Sequence, residues 1–415
     1  MRVLFTVSDW PAHYFAMMPL GWALQAAGHE VRVACAPNQV HHVSHAGLTP
    51  VPIVAGRDPV YMHRLLELQK FHNGQWRSEH LPLHPVTGVP LHSADELGDL
   101  DVYLAEAKYD MARKLRQNMA DCVQFAERWR PDVVMHDIAS LHGIVVSAVI
   151  GVPDVLHLWG PLGTAEPKGV NLLPVDRAGI LAGYGIDTAI ADLIDYVIDP
   201  CPDDLEPPTH AVRVRSKFVP YNGPGAMPLW VLDPPERRRV CLVWGNSLRE
   251  TVGPTSFIVP EVIESLSDLD IELMVLVNPQ DAERLGDLPP NAVAPGTVPL
   301  HLVLPSCAAV IHHGGCGCMM TAVGAGIPQL SLPVTPDLDE NALRLAKTGA
   351  GLFTDGRDVD TSTVRAHVLA LLDNPAYGQA ARRLQRQGAL RPSPAEVVAQ
   401  LEKIAVAGRR ERSTA

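Results

Sequence analysis

No run in this sequence of 415 residues approaches the roughly 18 consecutive apolar positions that a membrane-spanning helix needs. The chain opens directly on a strand-like segment, MRVLFTVSDW, without a charged-then-apolar leader. The expectation from these two absences is a cytoplasmic protein. There is no basic excess either: 34 Lys and Arg stand against 46 Asp and Glu, a net charge of −12. That balance excludes a nucleic-acid binder with a positive face, and any anionic ligand must be held by local donors. Seven cysteines form no regular framework and sit in apolar contexts such as VACA and RVCLVW, so reduced, mostly buried thiols are expected. Cys316 and Cys318 follow His312 and His313, but the spacing is wrong for a zinc knuckle and no second ligand pair follows, so no metal is expected. No G-x-G-x-x-G follows either opening strand, which argues against a dinucleotide dehydrogenase.

What is present describes a two-lobed α/β enzyme. The hydrophobic fraction of 47% with 19% charge suits a compact globular chain, and the length favours two domains. Val3 to Val7, a helical stretch from Pro19 to Ala27 stopped by Gly28, and a strand from Val31 to Ala36 make one βαβ unit. PDVVMHD near Pro131 repeats the short buried strand. Between Gly56 and Asp121, histidines, prolines and short helical stretches predict loops and helices beside a cleft. Proline- and glycine-rich sequence from Cys201 to Pro235 predicts an interdomain linker. A second series of buried strands then begins at Val240 with CLVWG, ELMVLV, NAVAPG, AAVIHHGG and PQLSLP. The division expected is 1–215, a linker over 216–239, a second domain over 240–390, and a helix with its tail over 391–415, the helix returning to the first domain.

The strongest chemical signal is AAVIHHGGCGCMMTAVGAGIPQLSLP. A buried strand leads into His312, His313 and three glycines, Gly314, Gly315 and Gly317, and then a helix begins. Glycines at such a turn let backbone N–H groups approach an anion closely, and the helix N-terminus adds about half a positive charge. A diphosphate is the obvious guest.

This segment, followed by AGIPQLSLP and by Asp337 and Asn341 in TPDLDENALRLA, resembles the bacterial nucleotide-sugar glycosyltransferases of GT-B fold that decorate antibiotics. SDWPAHYFAMMPLGWALQAAGHEVRVA, KFVPYNGPGAMPLWVLDPPERRRVCLVWGNSLRE and RPSPAEVVAQLEKI are similar to the family's other blocks, in the same order. The likeness is greatest to the macrolide and anthracycline enzymes of desosaminyltransferase type. It implies two Rossmann-like domains facing a central cleft, a dTDP- or UDP-sugar donor, a polyketide or other aromatic or macrocyclic aglycone, inversion at the anomeric carbon, and no metal or other cofactor. Some members depend on a cytochrome-P450-like auxiliary protein, and a homodimer is a candidate assembly. Two other readings stay open: a nucleotide-sugar 2-epimerase, and a non-catalytic partner subunit.

Residue by residue, the resemblance makes His13 the general base and Asp137 the carboxylate that orients it. His136 and His142 are neighbouring candidates, and capping a helix is the alternative role for Asp137. His313, Gly314, Gly315, Gly317 and Cys318 fall on the diphosphate turn, with Cys318 where Thr or Ser is usual. Gly245, Asn246 and Ser247 match the loop on the diphosphate's other side. Val298 and Leu300 match the base-binding segment. Asp337 matches the acid of an Asp-Gln pair that holds sugar hydroxyls, while Leu338 replaces the Gln. An unpaired buried hydroxyl costs about 1–3 kcal/mol, so this replacement favours a deoxysugar.

Overall fold

The computed structural model describes residues 1–54, 58–76, 80–167, 169–245 and 247–414, with side chains at all of these except 94, 255 and 409–414. The first lobe is built on strands β1 (Arg2–Thr6), β2 (Glu30–Ala34), β3 (Pro50–Val51), β4 (Val133–Asp137), β5 (Asp154–His157), β6 (Tyr196–Asp199) and β7 (Val212–Arg215). They form one sheet in the order β3-β2-β1-β4-β5-β6-β7, parallel throughout. The second lobe carries β8 (Arg239–Val243), β9 (Glu272–Leu276), β10 (Ala292–Val293), β11 (Ala309–His312), β12 (Gln329–Ser331) and β13 (Gly351–Phe353). Their order is β10-β9-β8-β11-β12-β13, again all parallel. Helices cover both faces of each sheet, which is why β4 and β11 are buried at every position and read as unbroken apolar runs.

In both sheets the winding direction reverses once, between β1 and β4 and between β8 and β11. Open parallel sheets bind ligands in the crevice outside the strand ends at such a reversal. The loops leaving β1 and β4 carry His13 and Asp137; those leaving β8 and β11 carry Gly245 and His313. These four residues therefore lie at the two reversal points.

Three elements differ from the sequence expectation. The segment expected to hold short helices contains, besides the helix Pro59–His72, most of a helix of 30 residues, Leu100–Trp129. Asp99 caps it by accepting from the amides of Asp101 and Val102. Its buried stripe is sparse at first, with Leu104 followed only by Leu115, then dense through Met119, Cys122, Val123 and Ala126. The thin first half hid the period. Second, β7 lies in the proline-rich stretch from Cys201 to Pro235, within the expected first domain of 1–215; it is a four-residue edge strand paired with β6, too short to stand out among prolines. Third, the last helix, Pro394–Thr414, is longer than its apolar sequence suggests. Val397, Val398, Leu401, Ile404 and Ala405 on it share one core with Val3, Phe5, Leu20 and Leu24 of the first lobe.

No described helix is long and apolar enough to cross a membrane. All seven cysteines are free thiols, five of them buried.

Candidate active site

After β1 the chain runs through Ser8 into a four-residue helix, Pro11–Tyr14, begun by proline at its first position and carrying His13. The imidazole stacks on Trp159, ring centres 4.2 Å apart and planes at 24°. Its Nδ1 lies 3.0 Å from Ser8 Oγ. Exclusion of water by this packing pushes His13 down to about 3, so the ring is neutral with a lone pair to offer.

Among the described residues no hydrogen bond joins Asp137 to His13, contrary to the expected carboxylate–imidazole contact. Asp137 ends β4, fully buried, and accepts from the amides of Ser8 at 2.6 Å and Ala139 at 2.9 Å. Ser8 therefore stands between the two, because the loop after β1 crosses the end of β4 before the helix begins. Burial pushes the Asp137 carboxyl up, and the bonds from Ser8 and Ala139 pull it back. His136 is committed elsewhere, with Nε2 3.0 Å from Asp154 and Nδ1 2.8 Å from the Asp137 carbonyl.

On the second lobe, His312 shapes the turn. Its Nδ1 accepts from the Gly314 amide at 2.9 Å, which leaves the proton on Nε2 to donate to Gln329 Oε1 at 2.8 Å. Gly314 has φ of +92°, a conformation reserved for glycine. Asn341 Nδ2 donates to the Gly314 carbonyl. Gly315 then caps the helix Cys316–Ala325 with no side chain on the free amides of its first turn. A Cβ at Gly317 would meet nothing within 4 Å. These unoccupied donors at a helix N-terminus form an anion seat.

His313 is almost covered, at 6% exposure. Its ring is held between two glycines: a Cβ at Gly315 would lie 2.6 Å from Nε2, and one at Gly245 3.2 Å from Cε1. Trp244 meets it edge-on at 5.6 Å, and its Nδ1 has no hydrogen-bond partner among the described residues. Burial pushes it down to about 3, so it can offer a neutral N–H rather than a charge.

A cleft of about 980 Å³ lies between the lobes. Trp10, Phe15, Trp159 and Tyr221 line it from the first lobe and the linker; Trp244, Gly245, Val298, Leu300, Gly317 and Cys318 line it from the second. Arg64 is the one Lys or Arg among the described residues lining it, and its Nε donates to the Glu250 carbonyl at 2.7 Å. The burial that covers the Cys318 thiol pushes it up to about 12, so it adds no charge. Ser247 starts the helix Ser247–Thr251 beside this cleft; Asn246 lies outside the described residues. Asp337, half-buried, accepts from the Thr335 hydroxyl at 2.7 Å. Leu338 corrects the sequence expectation: it turns into the second lobe's apolar core, its Cβ 3.3 Å from where Gly314 would carry one. It is a packing residue beneath the turn, because its place in the helix Pro336–Lys347 faces the sheet. Among the described residues no group of three or more His, Cys, Asp or Glu is arranged to hold a metal ion.

Sequence reasoning missed Ser8 and Trp159. Ser8 had a signal, since it directly follows β1 at the reversal point. Trp159 had none: only the packing of β5's trailing segment against the loop after β1 brings it to His13.

The buried imidazoles also set an acid limit on stability. His13, His157, His312 and His313 are held down to between about 3 and about 4 by burial, against an ordinary 6.5. Below 6.5 the unfolded chain takes up these protons before the folded one does, so stability falls with pH; above 6.5 both states are neutral and the effect vanishes. Calorimetry should find a melting midpoint that drops steadily as the pH falls from about 6.5 toward about 4.

Two Rossmann-like lobes walling one cleft, with the Trp159 on which His13 stacks on one side and a glycine-capped helix terminus on the other, are the architecture of a GT-B glycosyltransferase. The chain belongs to the erythromycin biosynthesis protein CIII-like family, whose N-terminal domain matches residues 22–78 and 103–245 and whose C-terminal domain matches residues 260–404. It is 35% identical over 427 aligned residues to 10-deoxymethynolide desosaminyltransferase of Streptomyces venezuelae, covering 99% of this chain and 98% of that one. Among solved structures it is similar to spinosyn forosaminyltransferase SpnP, with a TM-score of 0.75, 29% identity, and coverage of 98% and 99%. It is also similar to spinosyn rhamnosyltransferase SpnG complexed with thymidine diphosphate, with a TM-score of 0.73, 30% identity, and coverage of 97% and 100%. These relatives are sugar transferases, not epimerases.

Proposed function

We propose that the protein transfers a deoxysugar from a dTDP-sugar to a hydroxyl of a polyketide-type aglycone by one inverting displacement. The observation that carries this is a neutral imidazole, His13, stacked on Trp159 in one wall of a cleft whose other wall holds Gly317 and Cys318 of the glycine-capped helix terminus. A hydroxyl is a poor nucleophile until its proton is drawn off. His13 takes that proton as the acceptor oxygen bonds to the anomeric carbon, and the bond from that carbon to the diphosphate oxygen breaks. The charge left on dTDP is stabilised by the amides of Gly315, Gly317 and Cys318, by the helix terminus, and by an N–H of His313. Gly245 and Ser247 close the diphosphate from the other side, Val298 and Leu300 flank the pyrimidine, and Asp337 takes a sugar hydroxyl. Nothing in this scheme calls for a metal or another cofactor. The aromatic wall of Trp10, Phe15, Trp159 and Tyr221 suits a large apolar aglycone.

Ser8 links base to carboxylate in this scheme: its Oγ accepts from His13 Nδ1–H, and its amide donates to Asp137. The relay fixes the tautomer that leaves Nε2 free to accept. Ser8→Ala should lower kcat about 10-fold, a fraction of the 10²–10⁴ that a positioned base supplies, with donor KM unchanged in steady-state assays.

Mass spectrometry after mixing the protein with a panel of dTDP-sugars and polyketide aglycones tests the reading. The expected result is an aglycone heavier by one deoxysugar residue, with dTDP released in equal amount. Donor isomerised without an acceptor, and no glycoside with any pair, would sink it.

A further inference from the structure

We propose that Glu166 and Arg344 form a strut between the lobes that sets the distance from His13 to the diphosphate turn. The proposal rests on the reading of those two places given above. Arg344 belongs to the helix Pro336–Lys347 of the second lobe. Its Nη1 and Nη2 donate to Glu166 Oε1 at 2.8 Å and Oε2 at 2.6 Å, and Nη1 also donates to the Pro161 carbonyl. Its Nε is held by Glu340 at 2.7 Å. The Glu166 side chain has no exposed surface and takes a further bond from the Gly163 amide at 2.7 Å.

What each partner is attached to gives the pair its role. Glu166 ends the segment that leaves β5, and that segment carries Trp159, on which His13 stacks. One residue on, Gly160 abuts the second lobe so closely that a Cβ there would lie 2.6 Å from Cys316 Sγ. Arg344 shares its helix with Asn341, which bonds the Gly314 carbonyl and Cys316 Sγ, and with Leu338, packed beneath Gly314. The support of the base and the support of the anion seat therefore meet at this pair.

Stability alone gives little reason for such a pair. Removing a carboxylate from water entirely costs about as much as the ion pair returns, and apolar side chains of similar volume would serve as well. A bidentate guanidinium–carboxylate fork, by contrast, fixes orientation as well as separation. Neither residue touches the reacting atoms in this account; both are positioning residues.

The test uses the full chain with Glu166→Gln and Arg344→Gln combined, which leaves no charge at the fully buried Glu166 position and frees only the half-buried Glu340, and Arg344→Lys alone, which keeps the charge but loses the fork. Three quantities are read: kcat for sugar transfer, the Kd for dTDP, and the spread of interlobe separations from small-angle X-ray scattering. The double variant should lose about 100-fold in kcat, the usual consequence of an ångström-scale misplacement, while its Kd for dTDP stays within about threefold. Its scattering should broaden toward more open forms, and Arg344→Lys should fall between it and the parent. A double variant with the parent's scattering profile overturns the strut, whatever its activity. So does one whose dTDP affinity falls as far as its kcat. If the double variant does not fold, Arg344→Lys decides by the same two criteria. A parent protein that transfers no sugar would defeat the functional reading, and the scattering would still judge the strut separately.

Discussion

His13→Ala lowers kcat by about 10²–10⁴-fold, the range a positioned general base contributes, and leaves dTDP affinity within about twofold. The separation follows from where the residue sits. His13 is on the first lobe, stacked on Trp159 and bonded to Ser8, and neither partner belongs to the turn at Gly314–Cys318. An interaction made only as the proton moves lowers kcat and kcat/KM together without weakening ground-state binding. Burial has already pushed this imidazole down to about 3, so the acid limb of the rate profile should not fall at the ordinary 6.5 of histidine. His13→Gln keeps much of the packing on Trp159 without a basic nitrogen, and it should be as slow as the alanine variant. If either variant kept more than half of the parent's kcat, the base would have to be another residue.

Gly317→Leu weakens donor binding by about 100-fold or more while leaving the fold intact. Gly317 is the second residue of the helix Cys316–Ala325, and a side chain added there meets no atom within 4 Å. Leucine is also a better helix former than glycine, by about 0.8–1 kcal/mol. The melting midpoint should therefore hold or rise. In the proposed complex, however, that open space is where the diphosphate approaches the amides, and a leucine there fills it. Titration calorimetry should find dTDP binding weaker by about 100-fold or more, equivalent to about 2.7 kcal/mol. Gly315 gives the useful contrast. A Cβ there would lie 2.6 Å from His313 Nε2, so Gly315→Ala must displace a buried ring and should lose stability as well as affinity. Unchanged dTDP binding in Gly317→Leu would place the diphosphate elsewhere.

Much of this architecture was legible in the sequence because parallel sheets covered on both faces leave an unmistakable trace. VVMHD, AVIH and RVCLV are buried runs bounded by polar residues or glycine, and each became a strand. The glycine turn was legible because few folds need three glycines after a buried strand. The rest depended on contacts distant in sequence. Asp137 could be named but not its partner, since an intervening Ser8 is visible only once the loop after β1 crosses β4. Leu338 read as a sugar-facing replacement because its helical phase was unknown; the helix Pro336–Lys347 turns it into the core and leaves Asp337 half-exposed. The helix Leu100–Trp129 was hidden by a first half with one buried residue, Leu104, in its opening turns. Glu166 and Arg344 are ordinary charged residues in sequence, and only the closed arrangement of the two lobes makes them a pair.

The most direct measurement is a crystal structure of the protein with dTDP. The account predicts diphosphate oxygens within hydrogen-bond distance of the Gly317 and Cys318 amides, with the open side of His13 facing the terminal phosphate across the cleft. A diphosphate bound away from the end of β11, or with its terminal phosphate turned from His13, would contradict it.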